Sequence, residues 1–266
     1  MEWGNTLLDE HLIALTGVEK PRVCFLPTAS GDADHYIVRF YRAFAASRCE
    51  PSHISLFRRE TGVGDPRAHL LAQDLVYVGG GSLLSLLGTW RAHGIDLALR
   101  DAWRAGVVLC GGSAGSLCWF AEAVSAFHEG DPQRVDGLGL LPWSNAVHYC
   151  EESGRRAAFR EAIRSGMAPG YGVGDGAALH FVGTELEEVV CSRQGASAVY
   201  VSSDPLGQVV ERELPGRYLG PVAGERPVAG EQPVAGERPV AGERPVAGER
   251  PVADGRAASD GAALAA

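Results

Sequence analysis

The stretch Val107-Val-Leu-Cys-Gly-Gly-Ser-Ala-Gly-Ser-Leu-Cys-Trp-Phe120 constrains this chain more than any other. Its first residues are apolar and partly β-branched, which suits a buried strand, and its last residues are compatible with a helix. Between them Gly111-Gly-Ser-Ala-Gly115 makes a G-x-S-x-G pattern at a strand-to-helix turn. In that setting the pattern predicts a nucleophile elbow, whose glycines permit a tight turn that lifts a serine hydroxyl clear of the sheet. The amide after the serine then faces any oxyanion that forms. Ser113 is therefore the candidate nucleophile.

The chain around the elbow alternates strand-like and helix-like runs. Arg22–Leu26, Ile54–Phe57 and Leu75–Val78 read as strands. Helical patterns cover about 7–15, 34–47, 68–72, 83–90, 95–104 and 155–165. Such alternation predicts an α/β fold: a mostly parallel, doubly wound sheet with helices on both faces. Ligands bind such sheets at the carboxyl ends of the strands. Ser113 and the triple glycine Gly79-Gly-Gly81 both fall there, so the glycines can bring a second backbone N–H to the same oxyanion. Residues 121–137 read as irregular, and the short strand patterns at 170–174, 177–181, 186–191 and 198–202 suggest some antiparallel pairing near the C-terminal part.

From Pro221 the composition changes. Six hexads of the type Pro-Val-Ala-Gly-Glu-Arg run to Arg256, and a small-residue tail follows. A proline every sixth residue blocks a continuous helix, and one valine per hexad cannot build a core. The expected organisation is a catalytic domain over 1–214 and a disordered repeat tail over 215–266.

Other properties narrow the function. A formal net charge of −9 argues against nucleic acid or an anionic membrane as partner. No long apolar run reads as a membrane span or signal peptide, so a cytoplasmic protein is expected. Six scattered cysteines form no C-x-x-C pair and no His/Cys cluster at metal-ligand spacing, so neither cofactor nor metal is expected.

A serine hydroxyl needs a general base, and the base needs an orienting carboxylate. Among eight histidines, His148 has the best setting, at the end of a strand pattern after the elbow and among polar residues. His180, between Leu179 and Phe181, reads as a core or edge residue. His128 and the histidines at 11, 35, 53, 69 and 93 read as surface or capping residues. Asp175, between two glycines at a strand end, is the preferred carboxylate, although Asp-Gly also suits a plain turn. The order Ser113, His148, Asp175 is not that of α/β-hydrolases, which run Ser, Asp/Glu, His.

Four motifs, Leu109–Cys118, Val78–Gly81, Gly137–Pro142 with His148, and Gly174–Gly176, occur in an order and spacing that resembles the peptidase E family, aspartyl dipeptidases related to cyanophycinase. The resemblance covers roughly residues 5–203. It implies a fold like the class I glutamine amidotransferases and a serine-type peptidase that removes an N-terminal aspartate from Asp-Xaa dipeptides. By position it assigns catalysis to Ser113, His148 and Asp175, and the oxyanion hole to Gly80 and Ala114. An aspartyl substrate needs a cation, and Arg155 and Arg156, near where the family has an arginine, are the expected substrate-binding residues. The expected partner is a small peptide, and the chain a monomer or homodimer. A hydrolase of β-aspartyl-arginine and a non-catalytic scaffold that retains the fold are the alternatives.

Three features depart from the family. Where an aspartate usually follows the serine by some fifteen residues, this chain offers Ser125, with Glu129 and Asp131 further on. Ser82 replaces an asparagine after the triple glycine. Relatives also have a strand and a glycine-rich turn ahead of the segment matching Glu2–Thr16. Without that strand, exposed sheet edges and poor solubility are expected.

Overall fold

The computed structural model describes Met1, residues 5–58, 62–126, 131–152 and 154–221, and the backbone of 262–265. In chain order the helices are α1 (Leu7–Leu15), α2 (Asp34–Ala43), α3 (Pro66–Leu71), α4 (Leu83–His93), α5 (Ile95–Arg104), the single turn α6 (Ala114–Leu117) and α7 (Arg155–Arg164). The first strands are β1 (Arg22–Leu26), β2 (Glu50–His53), β3 (Leu75–Val78), β4 (Val108–Gly111), β5 (Phe120–Ser125), β6 (Gln133–Asp136) and β7 (Leu141–Val147). They are followed by β8 (Gly170–Val173), β9 (Ala177–Val182), β10 (Glu185–Cys191), β11 (Ala198–Ser203), β12 (Val209–Leu214), β13 (Gly216–Tyr218) and β14 (Ala262–Ala265).

Strands β3 and β4 are buried at every residue, and β1 at all but its first, so their apolar runs need cover on both faces. Alternate side chains supply the contacts. Cys24, Leu26, Val76, Val78 and Leu109 pack on one face with Leu86, Trp90 and Leu99 of α4 and α5. Val23, Phe25, Leu75, Tyr77, Val108 and Cys110 pack on the other with Leu12 of α1 and Ile37 and Phe40 of α2. The caps fix where helices begin: the Ser82 hydroxyl accepts from the Ser85 amide to start α4, and Asp65 accepts from Arg67 N–H to start α3, with Pro66 following it. The result is an α/β fold with helices on both faces of a mostly parallel central sheet. Its strand order is β13-β10-β9-β14-β4-β3-β1-β2.

A second sheet, β12-β11-β8-β7-β5-β6, is the main departure from the expected single sheet. Residues 121–137, expected to be irregular, contribute β5 and β6 to it. Its centre is parallel (β5, β7, β8), and its edges are antiparallel. The second strand of the chain is Glu50–His53 instead of Ile54–Phe57. Among the described residues it is an edge strand paired only with β1, which is why Pro51 is tolerated in it.

The boundary expected at 214 also shifts. Strand β13 pairs with β10, so residues 216–218 belong to the folded unit. The backbone of 262–265 runs parallel to β4 and antiparallel to β9, occupying the position between them. The seam where an exposed edge was expected is thus paired. The hexads beyond Pro221 lie outside the described residues. No described helix is long and apolar enough to cross a membrane.

Candidate active site

Strand β4 delivers Ser113 into a turn that only these glycines allow. A Cβ on Gly111 would run into the Gly115 carbonyl, and one on Gly115 into the Val78 carbonyl. Ser113 itself sits at φ 56°, ψ −120°, a conformation that L-residues avoid. Only three described residues other than glycine have positive φ, namely Asp32, Ser113 and His148. Two of the three therefore belong to the predicted site, and backbone strain of this kind, of order 1–3 kcal/mol each, persists where surrounding structure enforces it.

His148 follows β7, and Asp175 lies just past β8, so both come from the second sheet while the serine comes from the first. The His148 Nδ1 lies 2.6 Å from Asp175 Oδ1, and Nε2 lies 3.1 Å from Ser113 Oγ. An ionised carboxylate can only accept, so Nδ1 carries the proton and Nε2 presents its lone pair to the serine hydroxyl. Asp175 is in turn held by Glu151, whose Oε1 accepts from the Asp175 amide at 3.0 Å. Glu151 escaped the sequence reading, because only its place three residues after His148 marks it.

Gly80 faces the elbow: a Cβ built on it would lie 3.2 Å from Ser113 Cβ. The turn's backbone hydrogen bonds, Gly112 N–H to Val78 O, Gly115 N–H to Gly112 O and Ser116 N–H to Ser113 O, use neither the Gly80 nor the Ala114 amide. Both predicted oxyanion donors thus stand beside Ser113. The triple glycine is needed for packing as well, since Gly81 (φ 141°) presses on the Ala29 backbone. Ser82, the departure from asparagine, is the α4 cap.

A cleft of about 400 Å³ opens over Ser113, His148 and Asp175, lined also by Leu8, Tyr36, Arg39, Tyr77, Gly80 and Arg193. The Arg193 side-chain stem lies against Gly176, directly after Asp175. The expected substrate residues Arg155 and Arg156 do not line this cleft. Arg155 is buried, donating to the Val124 carbonyl at 3.0 Å and pairing with Glu152. Arg156 grips Glu211 through Nε and a terminal nitrogen at 3.1 and 2.6 Å. It lies in a separate depression along α7 with Tyr149 and Arg160. Helix α7 starts only after a loop has carried the chain past His148, so proximity in sequence to that histidine did not become proximity in space.

Of the residues weighed for the family's additional aspartate, Ser125 is buried at the end of β5 and Asp131 is exposed, and neither lines the cleft. Glu129 and His128 lie outside the described residues. Five of the six cysteines are buried, and desolvation pushes the thiols of Cys24, Cys110 and Cys118 far up, Cys24 to about 12.

The chain is 42% identical over 221 residues to the uncharacterized peptidase YgaJ of Bacillus subtilis (strain 168), covering 83% of this chain and 94% of that protein. It is 28% identical over 193 residues to peptidase E of Streptomyces coelicolor (strain ATCC BAA-471 / A3(2) / M145), covering 68% of this chain and 76% of the relative. The crystal structure of a peptidase from an acI-B1 Actinobacterium shares the fold, with a TM-score of 0.58 at 19% identity over 79% of this chain and 88% of that one. The model of peptidase family S51 matches residues 1–189, and the chain belongs to that family and is a peptidase.

Proposed function

We propose that the protein is a serine-type dipeptidase that hydrolyses peptides with an N-terminal aspartate through an acyl-enzyme on Ser113. The observation that carries this reading is the unbroken hydrogen-bonded line Ser113–His148–Asp175 with its serine on a strained turn above a cleft. His148 Nε2 takes the Ser113 proton as Oγ attacks the scissile carbonyl. The oxygen that gains charge sits between the Gly80 and Ala114 amides. Imidazolium, stabilised by Asp175, then protonates the departing amine, and a water activated by the same ring releases the aspartyl group.

The carboxylate of an aspartyl substrate needs a cation inside the cleft, and two arginines line it there. We assign that role to Arg39 on α2 and Arg193 after β10 in place of Arg155 and Arg156. The cleft is at the small end of ligand-site volumes, which suits a dipeptide better than a long chain. The kinship with peptidase E of Streptomyces coelicolor supports a peptidase reaction at this site.

The test is hydrolysis of Asp-Leu beside Ala-Leu and β-Asp-Arg by the wild type and Ser113→Ala, each first shown to melt cooperatively, with fluorophosphonate labelling in parallel. Turnover of Asp-Leu that vanishes in the variant is expected. A folded wild type that labels at Ser113 and ignores Asp-Leu would overturn the substrate and leave the serine chemistry standing. A folded wild type that neither labels nor hydrolyses any of the three would overturn the whole reading.

A further inference from the structure

On the α1 face of the central sheet, away from the serine cleft, three polar side chains meet that the proposed reaction does not use. His180 of β9 and Glu188 of β10 are direct cross-strand partners, set opposite each other where the register shifts between Leu186 and Glu188. His11 of α1 lies over them, its ring edge-on to His180 with centroids 6.1 Å apart. The His11 Nε2 is 3.8 Å from Glu188 Oε1, and His180 Nδ1 is 3.6 Å from the same oxygen. Both distances are too long for hydrogen bonds, and both nitrogens are buried without a hydrogen-bond partner. His180 is only 8% exposed. Leaving a buried polar nitrogen unsatisfied costs about 1–3 kcal/mol, so two of them aimed at one carboxylate call for a reason.

We infer that His11, His180 and Glu188 form a binding site for a divalent transition-metal ion of the zinc class. The three ligand atoms lie within 4.8 Å of one another. A triangle with sides of 3.6, 3.8 and at most 4.8 Å has a centre about 2.4 Å from each corner, a few tenths of an ångström from zinc–nitrogen and zinc–oxygen bond lengths. Small rotations of the two rings close that difference. Two imidazoles and one carboxylate suit zinc better than magnesium or calcium, which want oxygen alone.

The surroundings fit this role. Arg217 of β13 donates to both oxygens of Glu188 at 2.9 Å and fixes the carboxylate, whose Oε1 is the oxygen nearest both rings. The Arg217 charge opposes a cation, so affinity must come from the imidazoles. The ion would tie α1 to the β9–β10 hairpin. These elements also border the cleft, since Leu8 of α1 and Ala177, the first residue of β9, both line it, so the site is a brace behind the catalytic wall.

The experiment uses the full chain, stripped with chelator and shown to be folded by a cooperative melt. Zinc is titrated by calorimetry, bound metal is counted after dialysis, and the melt is repeated with zinc present. One zinc per chain is expected, with a rise in Tm of a few degrees. His11→Gln and His180→Gln should each weaken binding at least tenfold and abolish the rise, while His93→Gln, on the exposed end of α4, should change neither. His11 lies on a surface helix, so its variant keeps the test decisive should His180→Gln not fold. A folded wild type that retains no zinc, or a folded His11→Gln that binds it as tightly as wild type, would overturn the site. Both readouts are independent of peptidase activity.

Discussion

The cleft at Ser113 and the depression along α7 resemble each other in composition and differ in what their side chains are doing. Each is concave and lined by arginine, carboxylate and tyrosine side chains: Arg156, Arg160, Glu152 and Tyr149 along α7, and Arg39, Arg193, Asp175, Tyr36 and Tyr77 at the cleft. Along α7 the polar groups are consumed internally: Arg156, Arg160 and the Tyr149 hydroxyl all donate to Glu211, and Arg155 to the Val124 carbonyl. At the cleft the hydrogen-bonded line ends on a serine hydroxyl facing the cavity, and two members of the line sit on strained backbone. Charge marks both places, whereas strain together with an open end of a polar chain marks only one. That combination separates a working site from a structural one.

Ser113→Ala should break the comparison most sharply. It removes the proposed nucleophile without altering the turn, and a loss of about 10³–10⁶ in kcat/KM with an unchanged melt is expected. Asp175→Asn comes next, because an amide in that place no longer enforces the proton on Nδ1. A fall of about 10²–10⁴ in kcat with KM nearly constant is the expected outcome in steady-state kinetics. A fall below tenfold would show that Glu151 or solvent orients His148 instead.

Substrate recognition gives a smaller and more discriminating contrast. Arg39→Met or Arg193→Met should raise KM for Asp-Leu about 10–100-fold and leave Ala-Leu, which lacks the side-chain carboxylate, almost unaffected. Arg156→Met should change neither by more than about twofold, because its guanidinium is committed to Glu211 outside the cleft. If Arg156→Met has the larger effect, the α7 depression and the cleft have exchanged roles.

The same contrast explains what could be read from the sequence. The elbow was legible because a short, contiguous motif encodes a local backbone path: Gly111 and Gly115 are required where another backbone comes too close for a Cβ. His148 and Asp175 were legible because each ends a strand, and strand ends in parallel sheets converge. The second sheet was not, since residues 121–137 alternate too weakly to signal β5 and β6, and β5 finds its parallel partner only in β7, where Phe120 lies opposite Leu141. Arg39 and Arg193 reach the cleft from a helix and a loop far apart in the chain. His11, His180 and Glu188 likewise come together only through tertiary packing. Spacing cannot report such contacts, because it records distance along the chain and the cleft depends on distance across it.

The smallest expected effect falls on the α7 side. Glu211→Gln keeps the shape of the side chain and removes the charge that holds Arg156 and Arg160. Both arginines keep access to water, so the loss should be about 1 kcal/mol, or a Tm lower by about 2–4 °C, with kcat/KM within about twofold of wild type. Burial alone would push the Glu211 carboxyl up, but the hydrogen bonds from Arg156, Arg160 and Tyr149 outweigh it and hold the group below its ordinary value. A carboxyl lowered by folding contributes stability that is fully present above its unfolded pKa, about 4.3, and is lost as pH falls through the folded value. The gap in stability between wild type and Glu211→Gln should therefore be constant from about pH 6 to 8 and close as the solution is acidified below about pH 4. A gap that widens on acidification would mean that Glu211 strains the helix instead of anchoring it, and the α7 depression would then have to be reconsidered as a second functional surface.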